Sequence, residues 1–169
     1  MIDAEAATLF EAGVSLIVCT VDTDGMPDAN RAWSAKVLDG GTRLRISVSD
    51  DSDTLIANLG ATGRVAITLT EIEELTSYQV KGHLSSELGP ESSEDRARRE
   101  AYITAFTSNV NRVDGTPFER IDRLTPRSFL VFEIAVDEVF DQTPGPAAGR
   151  QLAPVPTRER RGAEIGNHE

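Results

Sequence analysis

An apolar run that ends in a tight turn constrains the fold of this chain more than any other feature. The run covers residues 14–21, and an Asp-Gly pair and a proline follow it within residues 22–27. This combination is typical of a turn between two antiparallel strands. The returning strand is predicted at residues 28–37, and a third strand at residues 44–49, where apolar and polar residues alternate. The three segments predict an antiparallel meander.

Three further strands are predicted towards the C-terminus. They cover residues 64–70, 77–86 and 128–136. Gly82 lies within the second of these strands, which indicates a bulge or the close approach of another backbone. The last strand is almost continuously apolar, so we expect it to occupy a central position in the sheet.

Short helices are predicted between the strands. The first follows Asp3 and ends at Gly13. The second begins in the acidic stretch at residues 50–53 and ends near Gly60 or Gly63. In both, a side chain that can cap the first turn precedes an apolar stretch, and a glycine ends it.

Two more helices are predicted before the last strand. The third begins near Ser92 and packs through Tyr102, Ile103 and Phe106. The fourth begins at Thr116, with this threonine as its cap and the glutamate three residues later closing a capping box. A proline ends the fourth helix.

About six strands and four helices place the chain in the mainly β class with added α. The neighbouring strands are linked by turns, which favours an antiparallel barrel or a strongly curled sheet flanked by short helices. The 169 residues suit one folded domain, which we assign to residues 1–142. Residues 143–169 are rich in Pro, Gly and Arg without periodicity and are predicted to be a disordered tail or an arm at an interface.

The charge of the chain argues against two classes of partner. The formal net charge is -11, so phosphate backbones and anionic lipid surfaces are repelled. The first residues are acidic, unlike a secretory signal, and no apolar run approaches the length that spans a bilayer. We therefore expect a cytoplasmic protein that binds neither nucleic acid nor membrane.

Few residues offer acid-base, nucleophilic or metal chemistry. Cys19 lies in an apolar run, where a buried and inert thiol is expected. The two histidines and one cysteine have no metal-ligand spacing, so no metal site is predicted. His83 is either an ordinary strand residue or a general acid or base, and His168 belongs to the tail.

The segment at residues 31–36 is the strongest candidate for ligand binding. Strand alternation would put Arg31, Trp33 and Ala35 on one face, and the residues between them on the other. An arginine offers a planar fork to a phosphate or carboxylate, and a strand offers backbone groups to a flat heterocycle. The segment would suit an anionic cofactor; the alternative is a half-buried strand with a packed tryptophan.

The order of these motifs resembles the pyridoxamine 5'-phosphate oxidase-like family, the FMN-binding split barrels. The resemblance rests on the Asp-Gly-Met-Pro turn, residues 31–36, the helix at residues 55–59, residues 65–68 and the Gln-Val-Lys-Gly segment at 79–82. It covers residues 9–88 well and the final strand more loosely. It implies a six-stranded antiparallel split β-barrel that forms a homodimer and holds FMN in a groove between the subunits.

The resemblance also implies a set of cofactor-binding residues. Arg31 matches the arginine that binds the FMN phosphate, and Gln79 matches a glutamine that hydrogen-bonds the cofactor. The other members lie along the ring, on the neighbouring strand or at the following helix start. The whole set is Arg31, Ala32, Trp33, Ser34, Lys36, Ser47, Val48, Ser49, Ser52 and Gln79.

Two departures from the family pattern bear on cofactor and substrate. Where the oxidases carry an Arg-Lys pair, this chain has acids at residues 50, 51 and 53, which oppose a phosphate unless the helix start and Ser52 compensate. The basic C-terminal pair of the oxidases is interrupted at residues 150–152. Pyridoxamine phosphate is therefore not expected to be the substrate.

Three functions remain open. The first is an FMN-dependent oxidoreductase with a small-molecule electron donor and acceptor, in which the flavin performs the hydride transfer. The second is a binding or sensing protein for a flavin, a deazaflavin (F420) or haem, with His83 as the axial haem ligand. The third is a barrel without a cofactor that serves as a structural partner.

Overall fold

The computed structural model describes residues 1–152. Its strands and helices alternate along the chain in the order expected for a curled sheet with helical connections. The strands are β1 (Ser15–Val21), β2 (Pro27–Leu38), β3 (Arg43–Ser49), β4 (Arg64–Thr70), β5 (Ser77–Leu84), β6 (Gly89–Pro90), β7 (Phe129–Asp141) and β8 (Arg150–Gln151). The helices are α1 (Ala4–Phe10), α2 (Asp53–Thr62), α3 (Ser93–Asp114) and α4 (Phe118–Leu124).

Six antiparallel strands close into a barrel. Their order is β3-β2-β1-β4-β5-β7, and a pairing of β7 with β3 closes the circle. The last long strand is central, as predicted, because it pairs with β3 over its first half and with β5 over its second half. The short strands β6 and β8 add to β7. The predicted class, a six-stranded antiparallel barrel with flanking helices, is confirmed.

The barrel interior is apolar and contains side chains from all six strands. Every second residue of a strand faces the interior, so the alternating sequences fill it with branched side chains. The central members are Leu16, Val18, Leu44, Ile46, Val48, Ile67, Leu69, Val80, Phe132 and Ile134, each almost completely buried.

A bulge in β2 breaks the alternation predicted for residues 31–36. Ala32 pairs with Val48, but the next paired residue is Ser34, opposite Ser47, so Trp33 is the extra residue. Ala32 and Ala35 consequently both belong to the interior core. The prediction that these two alanines lie on opposite faces is wrong, because one extra residue reverses the faces of every residue after it.

Helices α1 and α3 start at the predicted caps, whereas α2 and α4 start without a side-chain cap. Asp3 accepts a hydrogen bond from the amide of Ala6, and Ser92 forms a full capping box with Asp95. Thr116 does not cap α4, since Pro117 holds that position without a side-chain bond. The carbonyl of Thr116 accepts from the Asn111 side chain at 3.0 Å, which ties this threonine to the end of α3 instead.

The chain after residue 142 folds back onto the barrel as far as the structure describes it. Arg150 and Gln151 pair with the end of β7, and the amide of Leu152 donates to the carbonyl of Val139 at 2.8 Å. The rest of the predicted tail, including His168, lies outside the described residues. Within residues 1–152 the structure contains no helix whose length and apolarity would let it cross a membrane.

Candidate functional site

Strands β2 and β3 bring most of the predicted cofactor residues side by side. The two strands pair on both sides of the bulge, from Ala32 and Val48 to Leu38 and Arg43. The side chains of Ala32 and Val48 belong to the barrel core and are fully buried. They could therefore contact a ligand only through their backbone atoms. The other predicted residues of the two strands lie on the outer face or at its edge.

Helix α3 packs across this outer face and covers it. Near its first turns, Arg99 donates to Glu91 at 2.8 Å, and Glu91 accepts from the hydroxyl of Ser47 at 2.8 Å. Near its middle, Tyr102 and Phe106 pack over the β1–β2 side. Trp33, Ser34, Ser47 and Ser49 are consequently buried.

Two arginines and four aromatic rings are stacked between α3 and the barrel, and we call this group the aromatic cluster. Its closest contact places the guanidinium carbon of Arg31 3.9 Å from the centroid of the Phe106 ring. The same guanidinium carbon lies 5.1 Å from the centroid of the Trp33 ring. The cluster consists of Arg31, Trp33, Arg99, Tyr102, Phe106 and Phe129.

The cluster contains polar atoms that have no partner. Among the described residues, the buried side-chain nitrogen and oxygen atoms without a hydrogen bond are Nε and Nη2 of Arg31 and Oγ of Ser49. Arg31 precedes Ala32 and Ser49 follows Val48, so the two side chains leave neighbouring strands at adjacent positions. Buried polar groups are normally satisfied, and an uncompensated cation is costly to bury. These atoms therefore belong to cross-strand neighbours and suit an acceptor supplied from outside the described chain.

Two other arginines between α3 and the barrel show which groups an arginine binds here. Arg45 uses the same Nε/Nη2 edge to hold both carboxylate oxygens of Asp95, each at 2.7 Å. Arg99 directs its Nε to the carboxylate of Glu91. Arg31 alone of the three has no carboxylate beside it in the described part of the chain. Its free edge has the bidentate geometry that recognises a carboxylate or a phosphate.

Several predicted site residues are already engaged within the chain. The ammonium of Lys36 pairs with Glu11 at 3.3 Å. The Gln79 amide donates to the hydroxyl of Thr68 at 3.1 Å. Ser52 occupies the N-cap of α2 but makes no capping bond, and the acids around it are exposed. Lys36 and Gln79 would each have to exchange the present partner, or accept a second one, to bind a cofactor.

Gln79 lies on the same outer face of the barrel as Arg31. Arg31 is the cross-strand partner of Ile17, Ile17 is the partner of Thr68, and Thr68 is the partner of Gln79. Three strand spacings of roughly 4.8 Å separate the two ends, about 14 Å in all. Within one chain, Arg31 and Gln79 could therefore contact only opposite ends of an extended ligand.

An open groove of about 380 Å³ lies farther along the same surface. Its floor contains Cys19 and Ala66, and its rim contains Lys81 and His83. The Nδ1 atom of His83 lies 2.9 Å from the carboxylate of Asp137. Burial raises the pKa of the Cys19 thiol, with Asp28 adding to the effect, which agrees with an unreactive cysteine. Among the described residues, no three His, Cys, Asp or Glu side chains are grouped so as to hold a metal ion.

Sequence reasoning missed the role of α3. It identified Tyr102 and Phe106 as packing residues, and both are buried. It did not identify their contact with Arg31, since no local pattern links two positions so far apart in the chain. The aromatic spacing on α3 is a signal for burial, but it does not say what is buried beneath it.

The barrel has counterparts among solved structures. HupZ from Group A Streptococcus is 23% identical, with a TM-score of 0.53 over 88% of this chain and 100% of that chain. A candidate pyridoxamine 5'-phosphate oxidase from Lactobacillus delbrueckii is 20% identical, with a TM-score of 0.50 over 81% and 91%. At these identities the likeness shows a shared fold.

Sequence comparison is more specific about the family. No curated protein sequence matches the chain significantly. The family model for pyridoxamine 5'-phosphate oxidase matches residues 2–142, which include all six barrel strands and the site on β2 and β3. The chain therefore belongs to the pyridoxamine 5'-phosphate oxidase family.

Proposed function

We propose that this protein is an FMN-dependent oxidoreductase in which Arg31 binds the phosphate of the cofactor. The observation that carries this proposal is the buried, unpartnered Nε/Nη2 edge of Arg31 next to the unpartnered hydroxyl of Ser49. A phosphate has enough acceptor oxygens to satisfy both side chains at once. A deazaflavin with the same phosphate would satisfy them equally, so F420 remains the alternative cofactor.

The proposed roles of the side chains follow from their positions. Arg31 would bind the phosphate, and Ser49 would donate to another of its oxygens. Gln79, on the same outer face but three strands away, would hydrogen-bond the flavin at the other end of the ligand. FMN supplies the hydride-transfer chemistry when it is bound, so the chain needs no strong acid or base of its own. Its tasks are to bind, to orient and to exclude water.

Pyridoxamine phosphate is not the proposed substrate. The C-terminal Arg150, which would be the nearest match to a substrate-binding arginine, pairs with Asp141 at 3.5 Å. We propose a small-molecule electron donor such as a nicotinamide nucleotide, together with a separate acceptor.

Removal of the Arg31 guanidinium tests the cofactor role. We expect Arg31→Ala to weaken FMN binding roughly 10- to 100-fold, the usual effect of losing hydrogen bonds to a charged group. Riboflavin, which lacks the phosphate, should bind wild type and variant alike. Flavin fluorescence titrations measure both affinities, and Arg120→Ala, which removes an exposed arginine of α4, is the matched control. Equal FMN affinity of wild type and Arg31→Ala would contradict the proposed role.

We also propose that the protein is a homodimer with the cofactor between the subunits. The outer face of β1, β4 and β5 exposes Ile17 in the row that joins Arg31 to Gln79. An apolar side chain between two ligand-binding positions is suited to cover by a second copy. Light scattering should give the mass of two chains, and Ile17→Lys should shift this mass towards one chain. A mass of one chain for the wild type would exclude the dimer.

Haem is a second candidate ligand, and the geometry of His83 favours it. The bond between Nδ1 and Asp137 leaves Nε2 as the ring atom available to an iron, and a carboxylate partner commonly orients such a ligand. The apolar floor of the groove beside His83 suits a flat macrocycle. Absorption spectra of the purified protein distinguish the two candidates: two flavin bands support the first, and one sharp haem band lost in His83→Ala supports the second.

A further inference from the structure

The guanidinium of Arg31 contacts two aromatic rings that come from different elements. Trp33 belongs to the same strand, two residues along. Phe106 belongs to α3, and its ring is the closer of the two, with the guanidinium carbon 3.9 Å from its centroid. A guanidinium carbon this close above a ring centroid places the ring against the face of the guanidinium.

Phe106 is itself held in place by the surrounding structure. The ring of Tyr102 stacks on it almost in parallel, with the centroids 6.1 Å apart and the planes at 12°. The Tyr102 hydroxyl donates to the carbonyl of Val14 at 2.6 Å. Burial raises the pKa of Tyr102 to about 12, with Arg31 acting in the opposite direction, so this phenol is a neutral donor at neutral pH. One turn farther on, Asn109 donates to the carbonyl of Gly13 at 3.3 Å.

A ring against the face of a guanidinium leaves its N–H groups free. Those groups lie in the guanidinium plane, whereas the attraction to an aromatic ring acts through the face. Phe106 can therefore fix the orientation of Arg31 without competing for the Nε/Nη2 edge. An arginine held in this way loses less conformational entropy when an anion binds.

We infer that Phe106 is a positioning residue for the anion site, which orients the Arg31 fork next to the Ser49 hydroxyl through the face of its ring. The inference rests on the proposed function, because it concerns the phosphate end of the same cofactor site. It assigns to α3 a part in cofactor affinity through a side chain that makes no hydrogen bond of its own. The contact is specific to an aromatic ring; an aliphatic side chain would only fill the space.

The test compares the affinities for FMN and riboflavin in variants at this position. We expect Phe106→Leu to lower the ratio of FMN to riboflavin affinity about five- to thirty-fold, since a desolvated cation–aromatic contact is lost. Phe106→Tyr keeps the ring and should restore the ratio. Phe118→Leu makes the same change at an exposed phenylalanine of α4 and should leave the ratio unchanged. Thermal unfolding confirms that each variant is folded.

The outcomes separate this inference from the proposed function. A ratio that falls in Arg31→Ala but stays at the wild-type value in Phe106→Leu overturns the inference and leaves the phosphate role of Arg31 intact. A ratio that falls equally in Phe106→Leu and Phe106→Tyr also overturns it, because the effect would then not depend on the ring. No difference between wild type and Arg31→Ala overturns the proposed function and the inference together.

Discussion

Replacing Gly82 with alanine should lower the free energy of unfolding by about 3 kcal/mol, at the upper end of what overpacking usually costs. Gly82 follows the register shift at Lys81 in the pairing of β5 with β7. A Cβ atom at this position would overlap the carbonyl oxygen of Ala135 and would lie 3.1 Å from its carbonyl carbon. These are backbone atoms within the barrel, so no side-chain rotation can relieve the overlap.

Gly60 provides a matched control of opposite sign. It lies within α2, and a Cβ added there meets nothing within 4 Å. Gly60→Ala should therefore stabilise the protein by roughly 1 kcal/mol, because alanine is the better helix former. Urea unfolding of both variants measures the two effects. Similar stabilities of Gly82→Ala and wild type would show that β5 and β7 can separate at the bulge without cost.

Replacing Asp95 with alanine is expected to cost about 3 kcal/mol, as is typical when one partner of a buried ion pair is removed. The side chain is only 5% exposed and binds both ends of the Arg45 fork. The same carboxylate accepts from the amide of Ser92 at 3.0 Å and completes the cap of α3. The variant thus leaves Arg45 with Glu133 as its carboxylate partner among the described residues, and it removes the side-chain half of the α3 capping box.

The neighbouring Glu94 is the control for this variant. It lies in the same first turn, but its side chain is 82% exposed, although it pairs with Arg98. Glu94→Ala should change the unfolding free energy by less than about 1 kcal/mol, because exposed pairs contribute little. Equal losses in the two variants would mean that the helix start, and not the buried pair with Arg45, determines the stability.

The Asp95 contact should also make stability depend on pH. Hydrogen bonds from Arg45 and Ser92 hold the pKa of Asp95 well below its usual range. Since the pKa in the folded state is depressed, the stabilisation is present above the unfolded pKa of about 4 and is lost as the pH falls towards the folded value. The difference in stability between wild type and Asp95→Asn should therefore shrink as the pH is lowered below about 4. A constant difference over that range would contradict the assignment.

The strands and most helix boundaries could be predicted because their signals are local. Asp3 and Ser92 cap their helices as expected, since a cap depends on residues within one turn. The prediction for Thr116 was wrong because two nearby groups of α3, Asn111 and Asp114, compete for its backbone. The bulge at Trp33 could not be predicted from the sequence either, because an extra residue on one strand is defined only by its pairing with the partner strand.

The succession of strands and turns, the mainly β class and the residues that match the family could all be recognised in the sequence, since alternation, turn residues and motif order are properties of neighbouring positions. The stacking of Arg31 against Phe106, and its lack of the carboxylate that Arg45 and Arg99 have, became visible in the folded structure alone. Those contacts depend on how α3 crosses the barrel. The crossing is set by packing between segments far apart in the chain, and no local pattern encodes it.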